Sequence, residues 1–319
     1  MGYKLAGCEV LGCVEIDKRM NDIYIANHHP KYNFLMDIRE FNKIPNDQLP
    51  QELFNLDILD GSPPCSSFSM AGSREKDWGK EKKFREGQKL QTLDDLFFVF
   101  LDTVEKLKPK VVIAENVKGL LAGSAYEYVR QIHTRFNKAG YTARHYLVKG
   151  EEMGVPQTRH RVFFVAIRND LQVDIDTIKM DFNYEPVLFK EIKAGVGKTA
   201  TENTTNILNH AEPKDKCLAD VLVRLENRYS RFNEVIVWDD NICPTIHNHG
   251  TYRGNDKTRF SKEDFVNAST FPQDYDFIQD SKVGYVVGMS VPPIMAKRVA
   301  ERVIEKAFNK GSRKLPTCR

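Results

Sequence analysis

The sequence predicts an α/β fold: a doubly wound, mostly parallel sheet accompanied by a smaller, irregular unit. Three observations predict it. Residues 1–168 alternate short apolar runs with stretches of helical period, the pattern of strands separated by crossover helices. Several of those runs stop abruptly in Pro, Gly or paired polar residues, as strands do at the ligand-bearing edge of such a sheet. From about residue 170 the texture changes, and residues 195–216 are rich in Gly, Thr, Asn and Lys with little period.

The elements follow in order. Residues 9–15 (EVLGCVE) read as a strand, and residues 56–60 (LDILD) as another. Between Leu93 and Lys106, the positions Leu93, Phe97, Phe100, Leu101 and Val104 recur every three to four residues, so a helix lays one face on the sheet. Residues 110–115 (KVVIAE) form the next strand, and residues 141–149 and 162–168 close the unit with two more. Residues 195–216 read as loops, followed by a charged run from Arg224 to Arg231. Pro292 to Asn309 then resumes a clean helix, with Met295, Val299, Val303 and Ala307 at four-residue steps and Pro292 and Pro293 suited to its first turn. The expected division is a domain over 1–168, a second over 169–270, and a C-terminal segment over 271–319 that returns to the first.

Composition narrows the function classes. The chain has 319 residues, 41% of them hydrophobic and 29% charged, enough apolar material for a substantial core. No run approaches the ~18 apolar residues of a membrane span. The first ten residues lack the basic-then-apolar pattern of a signal peptide, so a cytoplasmic protein is expected. The six cysteines (Cys8, Cys13, Cys65, Cys217, Cys243, Cys318) include no CxxC pair, which predicts reduced thiols and no metal. With 47 basic and 44 acidic residues, the net charge of +3 neither announces nor excludes a nucleic-acid partner.

Three segments carry chemistry. In residues 60–69 (DGSPPCSSFS) the glycine and two prolines stop a strand and place Cys65 on the loop beyond its end. A free cysteine is commonly a buried structural residue, but a rigid Pro-Pro step beside the thiol suits a posed nucleophile, which needs positive charge or a base nearby. The strand ending in Glu115-Asn116-Val117 points an acid and an amide at the same crevice. Residues 157–161 (QTRHR) bring Arg159 and Arg161 to one face of a strand entrance.

Pro64-Cys65, Glu115-Asn116-Val117 and Gln157-Thr-Arg159-His-Arg161, in that order, resemble the DNA (cytosine-5) methyltransferase family, and the resemblance spans nearly the whole chain. It implies a methyl transfer from S-adenosylmethionine to carbon 5 of an extruded cytosine. Cys65 would add to carbon 6, Glu115 would share a proton with N3, Arg161 would bind O2, and Arg159 would help hold the Cys65 loop. The cofactor would meet Glu15 and Ile16 at its ribose and Asp37 and Ile38 at its adenine. Pro64, Leu96 at a helix start, and Ser290 and Val291 from the Gly288-Met-Ser-Val segment would complete its site. Ser67 and the basic run with Arg74, Lys82, Lys83 and Arg85 would meet DNA, the run as a lid over the phosphates. Residues 169–270 would be the target-recognition domain, closed by Pro244-Thr-Ile and the loop with Gly250 and Gly254. Double-stranded DNA is the implied partner of a monomeric enzyme, and a companion restriction endonuclease is compatible with it.

The sequence departs from the family at three places. Family members open with a strand and a Phe-x-Gly-x-Gly loop, whereas residues 1–7 already match the helix after it. The expectation is a misplaced start, with neighbouring strand edges exposed and a cofactor wall removed. Ser66 stands where Gln is usual, and Met289 where Asn is usual. Three rival readings follow: a catalytically silent DNA-binding homologue, a methyltransferase acting on RNA cytosine, and a nicotinamide-dependent dehydrogenase, which would explain the sheet but leave Pro64-Cys65, Arg159 and Arg161 idle.

Overall fold

A computed structural model of the chain describes residues 1–64, 95–123, 125–227 and 230–308. Its first elements are a short helix α1 (Gly2–Leu5), strand β1 (Gly12–Glu15), helix α2 (Lys18–His28), strand β2 (Tyr32–Leu35), helix α3 (Ile38–Lys43) and strand β3 (Ile58–Gly61). The Asp17 carboxylate caps α2 by accepting from the Arg19 and Met20 amides, and Asp37 caps α3 by accepting from Arg39. Buried Asn21 and exposed Asn33 exchange amide hydrogen bonds of 2.6 and 3.1 Å, which fix α2 over β2.

The next part carries the main sheet. Helix α4 (Leu96–Leu107) leads to β4 (Val111–Val117), α5 (Ala125–Lys138), β5 (Tyr141–Lys149), the two-residue β6 (Gln157–Thr158) and β7 (His160–Arg168). The strand order is β3-β4-β7-β5. β3 and β4 run parallel, while β7 is antiparallel to both β4 and β5. Side chains alternate faces along a strand, and β4 and β7 are apolar on both. Val112, Ala114, Val162, Phe164 and Ala166 pack on one face with Phe97, Leu101 and Val104 of α4 and Val129, Ile132 and Phe136 of α5. Val111, Ile113, Phe163, Val165 and Ile167 pack on the other with Met295, Val299 and Val303.

Those last three belong to α11 (Pro293–Ala307), so the C-terminal helix docks on the first sheet as its apolar spacing predicts. Before it come α6 (Phe189–Ile192), α7 (Glu202–Leu208), α8 (Leu218–Glu226), β8 (Val235–Val237), β9 (Cys243–Pro244), β10 (Tyr252–Gly254), α9 (Lys262–Ala268) and α10 (Val283–Met289). Helix α7 lies inside the stretch read as loops. Its Thr201 cap accepts from the Thr204 amide, and Leu208 is buried against Leu218, Val221 and Ile236, so contacts distant in sequence supply the helix that local composition does not announce.

The sheet is divided. Among the described residues, β1 pairs in parallel with β2 alone, and β3 pairs with β4 alone. Every residue of β1 is half-buried, unlike the core strands, because a cavity separates the two pieces. A direct consequence of the double-sided core concerns Met295, which is fully buried between α11 and the sheet. Met295→Ala should destabilise the protein by roughly 2–5 kcal/mol, read from urea unfolding; a loss below about 1 kcal/mol would contradict the packing described.

Candidate active site

The cavity between the sheet pieces measures about 1600 Å³ and gathers the ends of β1, β3, β4 and β7 together with residues from the segments before α9 and after α10. Antiparallel register puts Glu115 opposite Phe163 and Val117 opposite Arg161. The two functional side chains therefore stand diagonally on one face, within reach of each other. They meet: Arg161 Nε lies 2.8 Å from Glu115 Oε1, with side chains only 15% and 14% exposed. Arg161 also donates through Nη1 to the His160 carbonyl at 2.8 Å.

Arg159 is buried more deeply. Its Nη1 donates to the Ile246 carbonyl and its Nη2 to the Gly288 carbonyl, each at 2.9 Å, and Nε has no partner among the described residues. Burial, followed by the nearby Arg161 charge, pushes this guanidinium down to about 9, which leaves it protonated at neutral pH. It is thus a cation held by carbonyl dipoles. Gly288 is required here, since a Cβ would stand 2.5 Å from the Asn248 nitrogen.

Cys65 lies outside the described residues, as do Ser67, Arg74, Lys82, Lys83 and Arg85. The two prolines before Cys65 are described, and both line the cavity. Asn116, buried at the end of β4, donates from Nδ2 to the Pro63 carbonyl at 3.2 Å and ties that step to the strand carrying Glu115.

The residues expected at the cofactor all border the same cavity. Glu15 ends β1 and accepts from the Asp17 amide at 2.8 Å through Oε1; Ile16 follows it and is exposed to the cavity. Asp37 and Ile38 sit at the start of α3, Leu96 at the start of α4, and Ser290 and Val291 between α10 and α11. Ser290 donates from Oγ to the Val286 carbonyl at 2.7 Å. The donor set fits the expected methyl donor: a carboxylate at a strand end suits vicinal hydroxyls, and Ile16, Ile38 and Leu96 offer apolar surface to a flat ring.

Sequence reasoning missed four residues here. Gln157, although inside the motif, is wholly structural: it donates to the Ala268 carbonyl and accepts from the Ile246 amide. Asn116 was legible as a polar strand end but not as the brace of Pro63. His247 lines the cavity, its imidazole pushed down by burial and then by Arg159 and Arg161. Asp60, at the end of β3, is exposed to the cavity, yet the protein crowded around it raises it to about 6, the Met1 amine opposing the rise and Glu115 adding to it. Among the described residues, no cluster of three or more His, Cys, Asp or Glu could hold a metal ion, and no helix is long and apolar enough to cross a membrane.

The model of the family described as C-5 cytosine-specific DNA methylase matches residues 1–305. The chain belongs to that family. This methylase is 28% identical over 350 residues to the Type II methyltransferase M.FnuDI of Fusobacterium nucleatum, a match spanning 97% of the chain and 92% of the relative. It is 27% identical over 331 residues to the Type II methyltransferase M.Sau96I of Staphylococcus aureus, with 95% and 72% covered. Among solved structures, a prophage-encoded E. coli protein assigned as a DNA modification methyltransferase superposes with a TM-score of 0.64 at 19% identity, over 96% of this chain and 94% of that one. That likeness bears on the fold, which is of the Rossmann-like α/β type.

Asp60 gives this methylase a pH signature. Its folded-state value is raised from 3.8 to about 6, so the native state holds the proton more tightly than the unfolded state between those values. Native stability contributed by this group is therefore present at acid pH and lost as pH rises through about 6. Asp60→Asn should raise Tm at pH 7.5 relative to the parent and change it much less at pH 4.5, measured by scanning calorimetry. Equal shifts at both pH values would contradict the assignment.

Proposed function

We propose that this methylase activates cytosine covalently, with Cys65 as nucleophile and Glu115, Arg161 and Arg159 arranged around the ring. The observation that carries the reading is the Glu115–Arg161 pair at 2.8 Å on a cavity whose wall also holds Pro64, the residue immediately before Cys65. Carbon 5 of cytosine is a weak nucleophile. Addition of the Cys65 thiolate to carbon 6 forms an S–C bond and moves the ring electrons toward carbon 5 and the N3–O2 side. Arg161 would stabilise charge at O2, and Glu115 would share a proton with N3. Arg159, fixed by two carbonyls, would hold the Cys65 loop from beneath.

S-adenosylmethionine would be held by Glu15, Ile16, Asp37, Ile38, Pro64, Leu96, Ser290 and Val291 and would supply the methyl group that bonds to carbon 5, its remainder leaving as S-adenosylhomocysteine. Carbon 5 then gives up its proton to a base, the S–C6 bond breaks, and the thiolate is released. A base stacked in a duplex cannot enter this cavity, so the target cytosine is extruded, at a cost of roughly a few kcal/mol. Residues 169–270 would recognise the target site, with Ser67, Arg74, Lys82, Lys83 and Arg85 touching the DNA near Cys65. The type II designation of its relatives extends the reading to a companion restriction endonuclease that shares the target.

Transfer of labelled methyl groups to mixed duplex DNA tests the assignment. Cys65→Ser should reduce transfer to background while cofactor and DNA binding persist, and Glu115→Gln should slow it by about 10²–10⁴-fold in a protein that melts at a lower temperature but is still folded, by circular dichroism, under the assay conditions. Full activity of Cys65→Ser would remove the nucleophile assignment. Labelling of tRNA in preference to duplex DNA would overturn the DNA reading.

A further inference from the structure

Arg231, Phe232 and Asn233 border the cavity that contains Glu115 and Arg161, and all three are exposed. A single exposed aromatic side chain is ordinary on a protein surface. What distinguishes Phe232 is how firmly the chain is fixed just after it. Directly behind the tripeptide, the Glu234 carboxylate is 3% exposed and accepts from Arg253 Nε at 3.0 Å, Arg253 Nη2 at 3.3 Å and Arg259 Nε at 3.0 Å. Arg253 is itself buried and donates through Nη1 to the Lys257 carbonyl at 2.7 Å.

The Glu234–Arg253 pair is buried on both sides and is expensive to break, whereas Arg259 meets the same carboxylate from a half-exposed position. The backbone joins in: the Glu234 carbonyl accepts from the Leu218 amide at 3.0 Å, and the Val235 amide donates to the Thr251 carbonyl at 2.8 Å. In front, the Phe232 amide donates to Ser230 Oγ at 3.1 Å, and the Asn233 amide to the Arg231 carbonyl at 2.9 Å. Among the described residues, neither the Arg231 guanidinium nor the Asn233 side-chain amide makes a hydrogen bond or ion pair. The result is an aromatic ring flanked by two uncommitted hydrogen-bonding groups, next to the anchored Glu234 and at the edge of the cavity.

We propose that Arg231-Phe232-Asn233 is the element that reads the bases around the target cytosine. Phe232 stacks on a base beside the extruded position, and Arg231 and Asn233 bond to neighbouring base edges. The chemistry matches each side chain: aromatic faces hold bases without sequence preference, a guanidinium suits O6 and N7 of guanine, and a carboxamide suits N6 and N7 of adenine. The inference rests on the functional reading above and adds to it the residues that set specificity.

Selection from a random-sequence duplex pool, with sequencing of the bound fraction, tests it without requiring catalysis. The parent protein should enrich one motif. Arg231→Ala and Asn233→Ala should each lose about tenfold or more of the discrimination at one base position. Phe232→Ala should bind the pool about tenfold more weakly, and Phe232→Tyr should bind as the parent does. All four variants alter exposed side chains and should melt with the parent. A parent that selects a motif, with Ala variants that recover the same motif at the same affinity, overturns the proposal. So does a parent that binds no DNA. A parent that binds selectively but methylates neither DNA nor RNA overturns the catalytic reading alone, and the selection still decides the role of the loop.

Discussion

The contact on which the site depends is the ion pair between Glu115 and Arg161. Both side chains are largely withdrawn from water, so each would be costly to leave without the other. They meet only because β4 and β7 pair antiparallel in one register. A slip of one residue would turn every side chain of a strand to the opposite face. The register is enforced further along the same strands, where Val111, Ile113, Phe163 and Val165 must face α11 while Val112, Ala114, Phe164 and Ala166 face α4 and α5. Hydrophobic alternation on both faces thus positions two charged groups that hydrophobicity itself would exclude.

A second constraint ties the catalytic sheet to the segments beyond it. Arg159 and Gln157 lie one and three residues before β7, yet their bonds run to Ile246, Ala268 and Gly288. A buried guanidinium bound to carbonyls, with Glu115 acting on it only from a distance, keeps most of its positive charge available, which would suit a site where negative charge develops on a substrate. The same bonds anchor the loop bearing His247 and Asn248 against the catalytic strands. One arginine thus couples the strand carrying Arg161 to the 246–248 loop and to Gly288.

Much of this was legible because it lies on patterns of short range. The run before Glu115 reads as a doubly buried strand, and β4 covers Val111–Val117. The four-residue spacing from Met295 to Ala307 reads as a helix, and α11 covers Pro293–Ala307. Motif residues Pro64, Glu115, Arg159 and Arg161 were visible as residue types at strand ends. The remainder depends on long-range contacts. Helix α7 is held by a threonine cap and by burial against α8 and β8, and the parallel or antiparallel sense of β7 leaves no trace in an apolar run. Among the described residues, β1 and β3 do not pair with each other; the roles of Asn116 and Gln157 required coordinates, because an amide side chain gives no hint of which carbonyl it meets.

The central claim is that the sulfur of Cys65 bonds to cytosine during turnover. Duplex DNA carrying 5-fluorocytosine tests it most directly, since fluorine on carbon 5 blocks the proton loss that precedes release of the enzyme. Incubation with this DNA and S-adenosylmethionine, followed by denaturing electrophoresis and peptide mass spectrometry, should give a denaturation-stable complex with the added mass on the peptide containing Cys65. A stable complex mapping to any of the other five cysteines, or no complex from a preparation that methylates ordinary DNA, would contradict the account.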